Sequence, residues 1–197
     1  MWDGVKCYNG PMFASNIALK EWAILVDAIG KGEQILLVRK GGIADPAGGF
    51  QLKRREFFLY PTREHQKEEL VRPEFTQRLR SAAPESGRVP MQVYAGVALQ
   101  KEVKDLSQLS HLQKYHLWSP EFFEQRKNYK PELPSQVLVV RAYVLRKPVL
   151  HAVRPEEVGC KSWVDLSEAI PLEGSEPVWD NRRFVDALNE ISARLQT

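Results

Sequence analysis

The sequence lacks most of the features that mark a secreted, membrane-spanning or metal-binding protein. Its two cysteines, Cys7 and Cys160, lie far apart and have no CxxC partner, so cysteines alone cannot form a structural zinc site. No apolar run approaches the roughly 18 residues that cross a bilayer, and the N-terminus lacks the basic and apolar regions of a signal peptide. These absences predict a cytoplasmic protein without membrane contact, in which a structural disulfide is not expected.

The chain is also poor in net charge and in recognisable catalytic motifs. Its formal net charge is only +3, so the total charge says little about anionic partners. Neither GxxxxGK[ST] nor GxGxxG occurs, which disfavours a triphosphate P-loop and a dinucleotide site. His111 and His116 do not have the spacing that places the two histidines of HExxH on one helical face. The sequence therefore identifies no cofactor and no metal site, and it leaves the oligomeric state open.

What the chain does have is an ordinary globular composition and enough length for one core. The 197 residues are 43% hydrophobic and 27% charged, which is typical of a soluble domain. We expect residues 1–14 to form an N-terminal arm and residues 15–197 to form a single domain. Because strands follow one another without a helix after each, the pattern predicts an α+β fold with a mainly antiparallel sheet, open or barrel-like, and flanking helices.

The expected elements follow from hydrophobic periodicity and capping residues. Ser15 or Asn16 could cap a helix that continues to about Ile29 with an apolar stripe. The unbroken apolar run at residues 35–38 predicts a strand buried on both faces, paired as a hairpin with a strand over residues 50–60. Further on we expect helical turns over 63–83, a connector at 82–87, strands over 89–103, 137–145 and 163–166, a short helix over 105–114, and helices starting at Ser119-Pro120 and at Asp180.

The first candidate site segment is Arg39-Lys40-Gly41-Gly42, at the end of a predicted strand. Consecutive glycines can adopt positive φ, so that successive N–H groups converge on one anion. Because side chains alternate across a strand, only one of Arg39 and Lys40 should face such a ligand. The alternative interpretation is a hairpin turn with solvated charges.

The second segment is Pro61-Thr62-Arg63-Glu64-His65-Gln66, which follows the next predicted strand. If Thr62 caps a helix, His65 and Gln66 fall in its first turn, where free N–H groups and the helix dipole attract phosphate or carboxylate. His65 could then donate a hydrogen bond to the anion or act as a general base. The alternative is a capped helix with a purely structural histidine. We expect the two segments to lie on the same side of one sheet.

Other residues extend this hypothesis. The basic cluster Lys53-Arg54-Arg55 could contact phosphates, although such a run is more often a solvated surface. Lys161 could bind an anion and could activate the neighbouring Cys160, whose alternative role is that of a small buried residue at the start of a strand. Further side chains could widen a basic surface or stack bases, unless they pack in the core: Arg126, Lys130, Arg141, Trp118, Tyr129 and Trp163.

Several segments occur in an order that resembles one known family. They are Ala18-Leu19-Lys20-Glu21-Trp22-Ala23, residues 37–43, residues 60–66, Trp118-Ser119, Tyr129-Lys130-Pro131 and residues 159–163. Over residues 17–195 the chain resembles the uncharacterised prokaryotic family called domain of unknown function 1802, which implies no established activity. The order of a helix, a glycine and a strand ending in a basic residue is also loosely similar to the PUA-like and ASCH-type small barrels. That likeness implies binding of RNA or modified bases.

Three functions remain open, and the sequence does not decide whether the protein is an enzyme. The leading hypothesis is a binding module for nucleic acid, RNA or DNA, or another phosphorylated ligand, which uses the anion site at the strand ends. The second is a metal-dependent nuclease or another enzyme acting on a phosphodiester or nucleotide, with Glu21, Asp45 or His65 in the chemistry. The third is a protein-interaction or regulatory domain, in which Arg39, His65 and Lys161 would be buried in hydrogen-bonded networks.

Overall fold

The computed structural model of the chain describes residues 14–41, 49–81 and 87–195, except for the side chains of Arg80 and Ser81. The predicted N-terminal arm, apart from Ala14, lies outside these ranges, as do Cys7, Gly42, Asp45 and most of the predicted connector. Within them, no helix has both the length and the apolar character needed to cross a membrane.

Seven strands in the described ranges form one open, mainly antiparallel sheet, which confirms the predicted fold class. They are Ala14–Trp22 (β1), Leu36–Arg39 (β2), Glu56–Thr62 (β3), Arg88–Val103 (β4), Ser135–Ala152 (β5), Trp163–Pro171 (β6) and Glu176–Pro177 (β7). Their order is β2-β5-β4-β3-β1-β6, and β7 pairs with β5 beside this path. β1 and β3 are parallel, with Trp22 opposite Thr62, so their C-terminal ends meet at one edge of the sheet.

The helices flank this sheet and complete an α+β domain. The α-helices are Ala23–Gly30 (α1), Thr76–Ser81 (α2), Pro120–Asn128 (α3) and Asn181–Arg194 (α4). Short 3-10 helices occupy Glu68–Leu70, Pro73–Phe75, Leu106–Tyr115 and Pro155–Glu157. The last α-helix begins where predicted, since the Asp180 carboxylate accepts a hydrogen bond from the N–H of Arg183 at 2.8 Å. Its apolar stripe is buried as expected: Phe184, Leu188, Ile191 and Leu195.

The predicted helix near the N-terminus is wrong over its first half. Ala14–Trp22 is a strand, hydrogen-bonded to β3 on one side and to β6 on the other, and the helix begins only at Ala23. Ile24, Leu25 and Ile29 are all buried, because α1 is covered by the sheet and also by α2. A short segment that is apolar all round carries little periodicity, so strand and helix could not be separated by pattern alone.

The predicted hairpin between the strands at 35–38 and 50–60 is also wrong. β2 pairs with β5, placing Leu36 opposite Val139, whereas β3 begins at Glu56 and pairs with β1 and β4. Leu36, Leu37 and Val38 are buried, as expected for a strand covered on both faces. Such a strand lacks the alternation that would identify its partner or its register.

Candidate functional site

A cavity of about 390 Å³ lies where β1, β2 and β3 end. α3 and the segment just before β6 complete its wall. The lining residues are Lys20, Glu21 and Trp22 of β1, Arg39, Lys40 and Gly41 at the end of β2, Thr62, Glu64, His65, Lys67 and Leu70 after β3, Phe122, Gln125, Arg126 and Tyr129 on or beside α3, and Gly159, Cys160, Lys161 and Ser162 before β6.

The cavity brings together most of the residues singled out in the sequence. The two strand-end segments meet there, since Arg39, Lys40 and Gly41 share its wall with Thr62 and His65. Glu21 and Lys161 also line it. Gln66 and the cluster Lys53-Arg54-Arg55 are not part of the wall, and Gly42 lies outside the described residues.

The segment after β3 does not form the helix that we predicted from Thr62. Thr62 is the last residue of β3, and its hydroxyl oxygen accepts a hydrogen bond from the N–H of Glu64 at 3.2 Å. His65 has φ of +61°, which interrupts regular structure, and a 3-10 helix begins only at Glu68. The prediction that a helix dipole at His65 attracts an anion is therefore wrong. Gln66 instead accepts a hydrogen bond from the N–H of Ile24 at 3.3 Å and so satisfies the first turn of α1.

The basic cluster Lys53-Arg54-Arg55 lies at the opposite end of β3 from the cavity. Its three side chains are exposed and precede Glu56, the first residue of that strand. Seven residues of strand separate the two ends, which corresponds to roughly 20 Å. The sequence hypothesis that this cluster and the strand-end segments contact one ligand is therefore not supported by their placement.

Arg39 connects three elements at the wall of the cavity. Its guanidinium donates to the carbonyl of Lys20 at 3.1 Å, to Glu21 Oε2 at 3.2 Å and to Ser162 Oγ at 3.0 Å. The side chains of Arg39 and Glu21 are only 15% and 7% exposed. Glu21 also accepts a hydrogen bond from the N–H of Trp22 at 3.0 Å. Both charges are thus engaged by the protein itself.

Lys40 contacts a different element, as the alternation of side chains along a strand requires. Its ammonium donates to the carbonyls of Arg126 at 2.8 Å and Lys127 at 3.4 Å, in the last turn of α3. Burial lowers the pKa of Lys40 below its ordinary value. Gly41 follows with φ of +100°, and a Cβ there would lie 2.8 Å from the backbone N of Phe50. The glycine is therefore required by the close approach of the chain to itself.

Lys20 was missed in the sequence because the predicted helix placed it on a solvent face. In β1 it is buried, and its ammonium donates to the carbonyl of Gly159 at 2.8 Å and lies 3.9 Å from Glu64 Oε2. The backbone N–H of Lys20 also donates to the carbonyl of Ser162 at 2.8 Å. Lys20 therefore holds the segment before β6 against β1.

Arg126 differs from the other cations of the cavity. Its guanidinium lies 5.3 Å from the centre of the Phe122 ring, one helical turn earlier on α3. Within the described ranges, no hydrogen bond or ion pair joins its side chain to another residue. Burial, followed by the nearby charge of Arg39, lowers the pKa of Arg126 from its ordinary value, while Glu21 and Tyr129 oppose this shift. The spacing of Phe122 and Arg126 could have indicated the stacking, but not the cavity.

The expectation that Cys160 is buried is wrong. Cys160 is exposed at the cavity, and its Sγ lies 3.3 Å from Nε2 of His65. His65 is exposed as well, and Lys161 donates from its ammonium to the carbonyl of Glu156. Of the three residues that a purely structural function would bury, only Arg39 belongs to such a network.

The comparison with protein families agrees with the resemblance seen in the sequence. The family model described as Domain of unknown function (DUF1802) matches residues 18–190. The chain belongs to this family. Among solved structures, this DUF1802 chain is similar to the ASCH protein from Zymomonas mobilis, with 11% identity, a TM-score of 0.39, and coverage of 89% of this chain and 94% of that chain. A serine-to-alanine mutant of that protein gives 12% identity with the same TM-score and coverage. No curated protein matches.

The aromatic residues of the DUF1802 chain divide between core and cavity. Trp118 is buried and stacks on Phe122 with ring centres 3.7 Å apart, and Trp163 is buried with its Nε1 donating to the carbonyl of Gln51 at 3.0 Å. Trp22 and Tyr129 are half-buried and line the cavity. Trp22 and Trp118 meet edge to face with ring centres 5.4 Å apart, and the Lys130 ammonium lies 5.4 Å from the centre of the Tyr129 ring. Trp22 and Tyr129 are therefore the tryptophan and the tyrosine that a ligand in the cavity could contact.

The described residues also bear on the nuclease hypothesis. They contain no group of three or more His, Cys, Asp or Glu side chains that could hold a metal ion. Asp45 lies outside them, and the Glu21 carboxylate is bonded to Arg39 and to the N–H of Trp22. Glu21, the carboxylate of that hypothesis that the structure describes, is therefore not free to bind a divalent cation.

Proposed function

We propose that the cavity binds a phosphorylated ligand, namely a nucleoside phosphate, either free or as one unit of a single nucleic acid strand. The observation that carries this proposal is the guanidinium of Arg126, which has no hydrogen-bond or ion-pair partner among the described residues and lines the same cavity as Arg39. A phosphate would accept the charge-assisted hydrogen bonds that this guanidinium can donate. It would also offset the repulsion between the two arginines.

The charge of the wall supports an anion rather than a cation. Lys67 and Lys161 line the cavity along with Arg126, and both side chains are exposed. The carboxylate of Glu21 is engaged by Arg39, as described above. An entering anion would therefore meet mostly positive charge.

The size and the aromatic residues of the cavity support a nucleoside rather than a bare phosphate. Ligand sites for small molecules measure roughly 300–1,000 Å³, and this cavity of about 390 Å³ lies near the lower end of that range. Trp22 and Tyr129 could stack on a base, an interaction worth about 1–3 kcal/mol per base. Stacking accepts every base, so this arrangement favours no particular sequence.

Calorimetric titration with AMP, adenosine and inorganic phosphate tests the proposal. We expect AMP to bind, and both of its parts to bind less tightly. Arg126→Gln should weaken AMP binding by about 10- to 100-fold, because a hydrogen bond to a charged group contributes about 1.5–3 kcal/mol. Arg146→Gln is the matched control, since Arg146 is exposed on β5 and its ion-pair partner in the described ranges is the exposed Glu176.

The same titrations distinguish a free nucleotide from a nucleic acid strand. If a strand is the ligand, a short single-stranded RNA or DNA should bind more tightly than AMP, and its affinity should fall with log[salt] with a slope of about 0.7 per phosphate contacted. Absence of binding by AMP, phosphate and oligonucleotides at low salt would overturn the proposal. Equal losses in Arg126→Gln and Arg146→Gln would overturn the assignment to this cavity.

A further inference from the structure

A thiol and an imidazole lie in contact at the edge of the same cavity. His65 Nε2 and Cys160 Sγ are 3.3 Å apart, and both residues are exposed and line the cavity. They come from segments that are 95 positions apart in the chain, so the fold and not local sequence brings them together. A nucleophile within hydrogen-bonding reach of a base is the arrangement that activates cysteine in covalent catalysis.

The segment that carries Cys160 is held in place from both sides. Lys20 donates from its ammonium to the carbonyl of Gly159 at 2.8 Å and from its backbone N–H to the carbonyl of Ser162 at 2.8 Å. Arg39 donates to the hydroxyl of Ser162 at 3.0 Å. The thiol is therefore positioned by buried residues of the sheet, which is what a reactive group requires.

We propose that Cys160 is a nucleophile and His65 its base, and that the pair hydrolyses an ester or thioester of a substrate whose phosphate binds near Arg126. The placement of the phosphate rests on the proposed function. The pair itself rests on the contact between His65 and Cys160.

The reaction needs only water as a second reactant. The proton of Cys160 Sγ passes to His65 Nε2 while sulfur forms a bond to the carbonyl carbon of the substrate. The tetrahedral intermediate collapses, the bond from that carbon to the leaving oxygen or sulfur breaks, and His65 returns its proton to the leaving group. His65 then takes a proton from water as the water oxygen bonds to the acyl carbon. The bond from that carbon to Sγ breaks and His65 returns the proton to Sγ, which releases a carboxylic acid and restores the thiol.

The surroundings of Cys160 favour attack at an acyl carbon over attack at phosphorus. Attack at phosphorus requires several donors around the phosphate oxygens next to the sulfur. The N–H of Lys161, which follows Cys160 directly, already donates to the carbonyl of Gly159 at 2.9 Å. An acyl carbonyl develops one negatively charged oxygen, and because the N–H of Lys161 is engaged, that oxygen is assigned to a cationic side chain of the same wall, Lys67 or Lys161.

Acylation by p-nitrophenyl acetate tests the pair without knowledge of the natural substrate. In a Cys7→Ser background, where Cys160 is the only thiol, we expect a burst of one p-nitrophenolate per chain and one acetyl group on Cys160 in the mass spectrum. His65→Gln should slow the burst by about 100-fold, within the usual contribution of a general base. His111→Gln, which changes an exposed histidine outside the cavity wall, is the control and should react like the parent.

The outcomes separate this inference from the proposed function. An equal burst rate in the parent and in His65→Gln, with circular dichroism confirming the fold of both, would overturn the pair. If AMP still binds but no acetyl group appears on Cys160, the role of Cys160 as a nucleophile is overturned and the proposed function is not. Loss of AMP binding in Cys160→Ala would overturn the separate roles assigned to the thiol and Arg126. Acylation that AMP does not slow would overturn the placement of the phosphate near the pair.

Discussion

The two basic regions at opposite ends of β3 differ in what their cations contact. At the cavity, Lys20, Arg39 and Lys40 are held by backbone carbonyls or by a buried carboxylate. At the other end, the side chains of Lys53-Arg54-Arg55 are exposed. Arg55 donates a hydrogen bond to the carbonyl of Val97 at 3.2 Å. The three cations at the cavity are thus held by contacts with other elements of the fold, whereas those of Lys53-Arg54-Arg55 are solvated.

This difference shows that half of the lysines and arginines that line the cavity, Lys20, Arg39 and Lys40, are structural. Three of its cations are used to join β1, β2, α3 and the segment before β6. Arg126, which has no such partner in the described ranges, is the one left for a ligand. A basic cavity and a basic binding site are therefore not the same thing, and substitutions can tell them apart.

The largest effect should come from Arg39→Ala. This substitution leaves the buried carboxylate of Glu21 without its cation, and breaking a buried ion pair typically costs about 3–5 kcal/mol. Urea unfolding should therefore show a lower midpoint and a free energy of unfolding reduced by about that amount. Arg146→Ala is the matched control, because the Arg146–Glu176 pair is 77% and 69% exposed. If Arg39→Ala lowered the free energy of unfolding no more than Arg146→Ala does, the distinction between structural cations at the cavity and solvated cations elsewhere would be wrong.

His116 is a buried polar residue away from the cavity, and it allows the cost of burying a charge to be measured through the pH dependence of stability. His116 is fully buried, its Nδ1 accepts from the N–H of Trp118 at 3.2 Å, and its Nε2 lies 2.9 Å from the carbonyl of Leu109. Burial lowers the pKa of His116 from 6.5 to about 4. Between those values the unfolded chain takes up a proton that the folded chain does not, so stability falls as pH falls from 6.5 to 4 and this contribution levels off below.

The expected loss is about 3 kcal/mol, at roughly 1.4 kcal/mol per pH unit. Urea unfolding at several pH values measures it. In His116→Gln the decrease over this range should be smaller by that amount, since glutamine does not titrate. A decrease of equal size in both proteins would show that other groups cause it.

The smallest effect should come from the exposed cluster. The double substitution Lys53→Gln and Arg54→Gln removes two exposed charges that have no buried partner among the described residues, so the free energy of unfolding should change by less than about 0.5 kcal/mol. AMP affinity should stay within about twofold, because a separation of roughly 20 Å exceeds the Debye length at physiological salt. If the double variant lost as much AMP affinity as Arg126→Gln, the ligand would bind near the N-terminal end of β3 and not in the cavity.

The sequence predicted elements well where a pattern was long or a cap was clear. The strands that became β4 and β5 and the helix capped by Asp180 belong to this group. It failed for β1 and for the pairing of β2, because residues 18–21 of β1 and 36–38 of β2 are buried without alternation and their partner strands lie far along the chain. Tertiary contacts decided those elements, and no local signal reports them.

The sequence predicted a site at the position of the cavity, but part of the reasoning behind that prediction was wrong. The idea that sites form at strand ends led to Arg39 and Thr62, and the parallel pairing of β1 with β3 then brought these ends together. The supposed helix at Thr62 does not exist, and Lys20 and the exposure of Cys160 were missed. Both depend on the position of the segment before β6, which enters the site from a distant part of the chain.

The bridge made by Arg39 has a consequence for the order of events during synthesis. Its partner Ser162 is 123 positions further along the chain. At the usual 5–20 residues per second, roughly ten seconds pass between the translation of these two residues. For that time Arg39 can reach Glu21 but not the segment that carries Cys160, so a nascent chain has no complete cavity. A ligand that binds the complete cavity can therefore act only on chains whose residues up to Ser162 have left the ribosome.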